Sequence, residues 1–88
     1  MPPGYVAPVT LDREGKTPVY LQIAAILRDR ITSGQIAAGR PVPSERTLRQ
    51  EFGVNTLTAR KAVRVLVAEG LVEVVPGRGA YVREPGRE

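Results

Sequence analysis

Two of the most reactive residue types are missing from this sequence, which has no cysteine and no histidine. Without cysteine there is no disulfide framework and no thiolate nucleophile. Without histidine there is no side chain whose ordinary titration lies near neutrality and could serve as a base. The usual zinc and copper sites lose both of their preferred ligand types at once, so no metal and no cofactor are expected. The remaining candidate nucleophiles are Ser, Thr, Tyr and Lys, and none has a paired base. Thr58 and Lys61 stand three apart on one helix, as do countless inert pairs. No Gly-x-x-x-x-Gly-Lys phosphate loop occurs. The expectation is therefore a protein that is not an enzyme. Long apolar runs are also missing, since nothing approaches the ~20 residues of a membrane span. The start, Met1-Pro2-Pro3-Gly4, is neither a charged leader nor an apolar one. A cytoplasmic chain with no membrane partner is expected, in keeping with the missing cysteine.

What is present fits one small globular domain. The 88 residues leave no room for a second, ligand-binding domain, and 42% hydrophobic with 25% charged is an ordinary soluble composition. Thirteen Lys and Arg stand against 9 Asp and Glu, a net charge of +4, which points to a polyanionic partner. Arginine outnumbers lysine 11 to 2. A GC-rich genome accounts for such a bias, but it also supplies planar, forked donors suited to phosphate and guanine.

Residues 1–17 carry three prolines and charges that cancel, so they read as a flexible N-terminal tail, with Val9-Thr10-Leu11 as a candidate short edge strand. Pro18 opens a first helix, in which Tyr20, Ala24, Leu27 and Ile31 recur at helical spacing and Arg28-Asp29-Arg30 form the wet face. Ser33-Gly34 stops it. Gln35 to Pro43 holds Gly39, Pro41 and Pro43, a loop or very short strand. Ser44 is a good N-cap for a second helix to about Phe52, ended by Gly53. Asn55 caps a third helix, from about Thr56 to Glu69. The period then becomes extended. Leu71–Val75 and Ala80–Arg83 form a hairpin around Pro76-Gly77, which suits the centre of a type II turn. Residues 84–88 read as a C-terminal tail. Two helices joined by Gly53-Val54-Asn55 have the loop length of a helix-turn-helix, and a hairpin directly after them is a wing. The fold class is mainly α with a small β part, a winged helix-turn-helix over residues 18–83.

On a helical wheel the third helix buries Ala59, Ala62, Val63 and Leu66. Leu57, Arg60, Lys61 and Arg64 share the opposite side. A charged stripe is usually just solvated, but on the second helix of a helix-turn-helix it is positioned to enter a DNA groove. Pro18-Val19-Tyr20-Leu21-Gln22-Ile23, Pro43-Ser44-Glu45-Arg46, Gly53-Val54-Asn55, Ala68-Glu69-Gly70-Leu71-Val72 and Gly77-Arg78-Gly79-Ala80-Tyr81-Val82, in that order, resemble the winged-helix DNA-binding domain of GntR-type bacterial transcription regulators. The resemblance implies sequence-specific binding of double-stranded DNA by a regulator, with repression expected. It places Arg46, after Pro-Ser-Glu, and Arg60, in the recognition helix, on DNA. It puts Gly77 and Arg78 of the wing at the minor groove. The expected contact set is Ser44, Glu45, Arg46, Arg49, Asn55, Thr56, Leu57, Thr58, Arg60, Lys61, Arg64, Gly77, Arg78 and Gly79, although turn geometry alone also accounts for Gly77 and Gly79.

The departures from the family pattern are specific. The family commonly opens its recognition helix with Ser-Arg-Thr-Thr, whereas this chain has Asn55-Thr56-Leu57-Thr58. The guanine-reading arginine has become Thr56, removing a contact worth roughly 1–3 kcal/mol of discrimination. Leu57 either touches a thymine methyl or packs under the second-helix turn. Arg49 stands where the family usually has Ala, and Ala59 where it usually has Val, so the Arg49 stem is expected over Ala59. A palindromic operator would call for a dimer, and the chain offers its N-terminal segment (Tyr5, Val6, Val9, Leu11) and Ile26 for a weak one. A winged helix used for protein–protein contact, or for non-specific nucleic-acid binding, is the alternative on the same scaffold.

Overall fold

The structure, a computed structural model, describes residues 11–84. Three helices, α1 (Val19–Thr32), α2 (Glu45–Phe52) and α3 (Thr56–Ala68), precede two strands, β1 (Val72–Val75) and β2 (Gly79–Val82). The element order is the expected one, and its boundaries follow from local chemistry. The Ser44 hydroxyl accepts the Thr47 amide at 3.1 Å, and the Asn55 side-chain oxygen accepts the Thr58 amide at 2.8 Å. Each satisfies one of the free donors of a first turn. Gly53 ends α2 at φ +65°, a left-handed conformation that glycine adopts without steric cost, and its amide donates to the Arg49 carbonyl.

The core gathers one stripe from each helix. Ile23, Ala24 and Leu27 of α1, Leu48 and Phe52 of α2, and Ala59, Ala62 and Leu66 of α3 are buried together with Val42, Val72 and Val82. Small side chains at the fully buried Ala24, Ala59 and Ala62 allow close helix approach. Val63, expected in the stripe, is half-buried because it stands at the stripe's edge and faces the wing. Ile26, expected to be exposed, is half-buried against the core.

The strands pair antiparallel, with Val72 opposite Val82 and Val75 opposite Gly79. The Arg78 amide donates to the Val75 carbonyl at 2.9 Å, and Gly77 has φ +76°. Those features match the type II turn expected of Pro76-Gly77. The segment before α2 joins this sheet. Pro41 bridges Tyr81, the Val42 amide donates to the Ala80 carbonyl, and the Val82 amide donates to the Arg40 carbonyl. The stretch expected as a loop or very short strand is therefore the third edge of the wing. Its two prolines limit it to a single bridge, because they supply no ladder donors.

Two expectations need correction. Part of the expected flexible tail is docked. Leu11 packs against the core, the Asp12 amide and carbonyl bond reciprocally to the Gln22 side chain, and the Arg13 guanidinium donates to the Phe52 carbonyl at the end of α2. The candidate strand at Val9 and Thr10 lies outside the described residues, and Leu11 is not in a strand. Nor are Arg28 and Arg30 simply wet. Arg28 grips Glu69 with two hydrogen bonds, and Arg30 pairs with Glu51 while lying 5.8 Å from the Phe52 ring centroid. These arginines tie α1 to the ends of α3 and α2. Helical periodicity marked them only as polar.

Candidate nucleic-acid interface

The N-terminus of α2, one flank of α3 and the inner side of the wing enclose a groove of about 640 Å³. Its cations are Arg46 of α2, Arg60 and Arg64 of α3, and Arg78 at the wing turn. Its floor is apolar, made by the Pro41–Pro43 segment, Val63, Val67, Val74 and Ala80. The helix-turn-helix brings the two helices together, and the Pro41–Val42 edge carries the wing to the same side. Residues 32 positions apart in sequence, Arg46 and Arg78, thus line one concavity.

One carboxylate stands among these arginines. Glu45 accepts from Arg60 Nε at 3.0 Å and Arg60 Nη2 at 3.3 Å. The Arg60 hydrogen bond holds the Glu45 carboxyl below its ordinary range, with the charges of Arg60 and Arg64 acting in the same direction. The same bond raises the Arg60 guanidinium above its own. Glu45 is thus a fixed anion that aims Arg60. The sequence placed both residues on DNA but gave no sign that they meet, because they lie 15 positions apart on different helices. Among the described residues, no carboxylate stands within ion-pair distance of Arg46, Arg64 or Arg78.

The other expected contact residues divide into groups. Ser44 and Glu45 line the groove, and Ser44 caps α2. Asn55 and the Thr58 amide form the cap of α3, while the Thr56 and Thr58 residues are half-buried. Leu57 is 54% exposed, which decides against packing under the α2 turn. Lys61 leaves the arginine flank, its ammonium lying 5.6 Å from the centroid of the Tyr20 ring on α1. Arg49 is exposed and lines a separate shallow depression with Arg46, Gln50 and Val54, whose walls do not include Ala59. A Cβ added at Gly77 or Gly79 would meet nothing within 4 Å. Their positive φ values, +76° and +114°, are therefore what require glycine.

A helix-turn-helix whose second helix presents cations to solvent beside a β-wing defines a winged-helix DNA-binding domain. The family described as "Bacterial regulatory proteins, gntR family" matches residues 19–82, and the chain belongs to that family. It is a family of DNA-binding regulators, not of enzymes. The chain is 41% identical over 70 residues to the mannosyl-D-glycerate transport/metabolism system repressor MngR of Escherichia coli, covering 80% of this chain and 29% of that protein. It is 35% identical over 80 residues to the transcriptional repressor NagR of Bacillus subtilis, covering 91% and 33%. The chain thus spans about a third of the length of these relatives. Among solved structures, YtrA of Sulfolobus acidocaldarius superposes with TM-score 0.80 at 39% identity, covering 91% of this chain and 68% of that one. The DNA-binding domain of AraR in complex with operator ORR3 superposes with TM-score 0.73 at 36% identity, covering 84% and 89%. Among the described residues, no helix is long and apolar enough to cross a membrane.

Proposed function

We propose that this domain binds a double-stranded DNA operator sequence-specifically and acts as a cytoplasmic transcriptional repressor. In this reading α3 enters the major groove. Arg60 and Leu57 meet base edges there, and Arg46 and Arg64 meet phosphates or base edges beside them. The wing turn brings Arg78 to the minor groove, where a narrow groove concentrates negative potential. The observation that carries the reading is the shared groove, in which arginines from α2, α3 and the wing converge. A face that was merely solvated would not draw cations from three elements into one concavity. The repressor names of MngR and NagR, and the operator complex of AraR, support it.

The reading extends to a palindromic site bound by a weak homodimer formed through the N-terminal segment or α1. Leu11 and Ile26 are occupied against the core, so within the described residues the exposed large apolar side chain of α1 is Leu21, with Ala25 exposed four residues on. Mass in solution with and without residues 1–10 tests the dimer, and a monomer in both removes it.

Selection of bound sites from random duplex DNA tests the whole reading. The expected result is an enriched motif, with A or T enriched at the position facing Leu57, and binding that weakens steeply with salt. Salt-dependent binding without a motif would leave a non-specific nucleic-acid binder. No binding at all would turn attention to protein–protein contact.

A further inference from the structure

We infer that the groove between α3 and the wing seats one sugar–phosphate strand of the operator, with Val67 and Val74 packing on its deoxyribose faces while Arg64 holds a phosphate and Arg78 flanks the strand from its minor-groove side. The inference rests on the reading of the domain as a DNA binder and assigns a role to groove residues outside the expected contact set.

Val74 is 62% exposed and Val67 is 37% exposed, and both line the groove. Val72 and Val74 stand on the same face of β1 by strand alternation, yet Val72 is fully buried. The apolar face of the strand therefore runs out of the core and into the groove. Around this floor stand arginines, and among the described residues lining the groove the carboxylate is Glu45, already held by Arg60. An acidic occupant with an apolar component fits that pattern. The backbone of DNA alternates a charged phosphate with a largely apolar sugar. Geometry points to the same occupant. A helix in the major groove and a loop in the neighbouring minor groove are separated by one strand's backbone, and that strand must cross the space between α3 and the wing.

The test measures operator affinity against salt for the full chain and for Val74→Ala, Val74→Thr, the Val67→Ala/Val74→Ala double variant and Arg64→Gln. Val74→Thr keeps the β-branch and shape, so it guards against loss of the strand itself. Val74→Ala and Val74→Thr are each expected to weaken binding about fivefold at every salt concentration, because lost apolar contact releases no counterions. The slope of log affinity against log salt should stay unchanged. Arg64→Gln should lower that slope by about 0.9, the value for one phosphate. A double variant that binds within twofold of the unmodified chain overturns the proposal. If that variant also self-associates less, the groove belongs to a second copy of the chain, which equally overturns it. If the unmodified chain selects no operator, the DNA reading itself falls, an outcome visible before any variant is made.

Discussion

Arginine does opposite work on the two sides of this domain. Where α1 packs on the ends of the other helices, each arginine has a carboxylate: Arg28 has Glu69 and Arg30 has Glu51. Around the groove, Arg46, Arg64 and Arg78 have none within ion-pair distance among the described residues, and only Arg60 is matched, by Glu45. The residue type is the same, so its meaning comes from whether the fold supplies a counter-charge. The α1 side spends its charge internally. The groove side leaves its charge for a polyanion from outside. Substitutions on the first side should therefore change stability and not binding, and those on the second should do the reverse.

The largest effect should come from the α1 side. Leu27 is fully buried between α1 and its neighbours. Leu27→Ala should cost about 3 kcal/mol of unfolding free energy, through lost burial and an unfilled cavity. Urea denaturation measures it, and the affinity of the folded fraction for operator should be unchanged. The mirror experiment reverses two groove charges. Arg64→Glu with Arg78→Glu should weaken operator binding about 100-fold near 0.1 M salt, because two attractions to the polyanion become repulsions. Its urea midpoint should stay close to that of the unmodified chain, since both side chains are exposed. A double reversal that unfolds the domain would break the division between the two sides.

The sequence showed the groove's parts better than its assembly. Caps at Ser44 and Asn55, the stop at Gly53 and the Pro76-Gly77 turn are local signals, and the structure has each at the expected position. Leu57 and the cations of α3 were legible from helical periodicity. Lys61 is exposed, and the lean of its ammonium toward Tyr20 was not legible because that ring is 41 residues away on α1. The Glu45–Arg60 pair and the edge at Pro41–Val42 are likewise long-range, and no pattern within one element predicts them. The Asp12 and Arg13 ties were hidden for a different reason. They join polar side chains to backbone groups, which leave no hydrophobic period to find.

A smaller effect sharpens the comparison on the α1 side. The Arg30 side chain is only 15% exposed, because its guanidinium lies over the Phe52 ring and pairs with Glu51 at the same time. Arg30→Ala should cost about 1–2 kcal/mol by losing packing, a cation–π contact and a shielded ion pair together. Arg30→Lys should recover only part of this, since an ammonium lacks the planar fork. Operator affinity should not change in either variant.

The finest test uses the one ion pair that each side places in the open. Arg28 holds Glu69 below the ordinary carboxylate range on the α1 side, as Arg60 holds Glu45 on the groove side. A carboxylate whose folded-state pKa is depressed stabilises the fold above its unfolded value of 4.5, and the contribution is lost as pH falls through the lower folded value. Stability should therefore decline below about pH 4.5 and, with no histidine in the chain, stay nearly flat from pH 6 to 8. Both pairs are exposed, so each acid-sensitive component is small. Glu69→Gln and Glu45→Gln should remove similar parts of it in urea midpoints measured against pH. Their binding behaviour should separate them. Glu69→Gln should leave operator affinity as it was. Glu45→Gln removes the carboxylate that lines the groove among the described residues and releases Arg60 from its fixed aim. It should tighten binding to random duplex DNA about two- to fivefold while narrowing the preference for the operator, because charge alone drives the first and a positioned guanidinium the second. If both substitutions leave binding unchanged, Glu45 serves the fold alone, and the groove side is less distinct from the α1 side than its arginines imply.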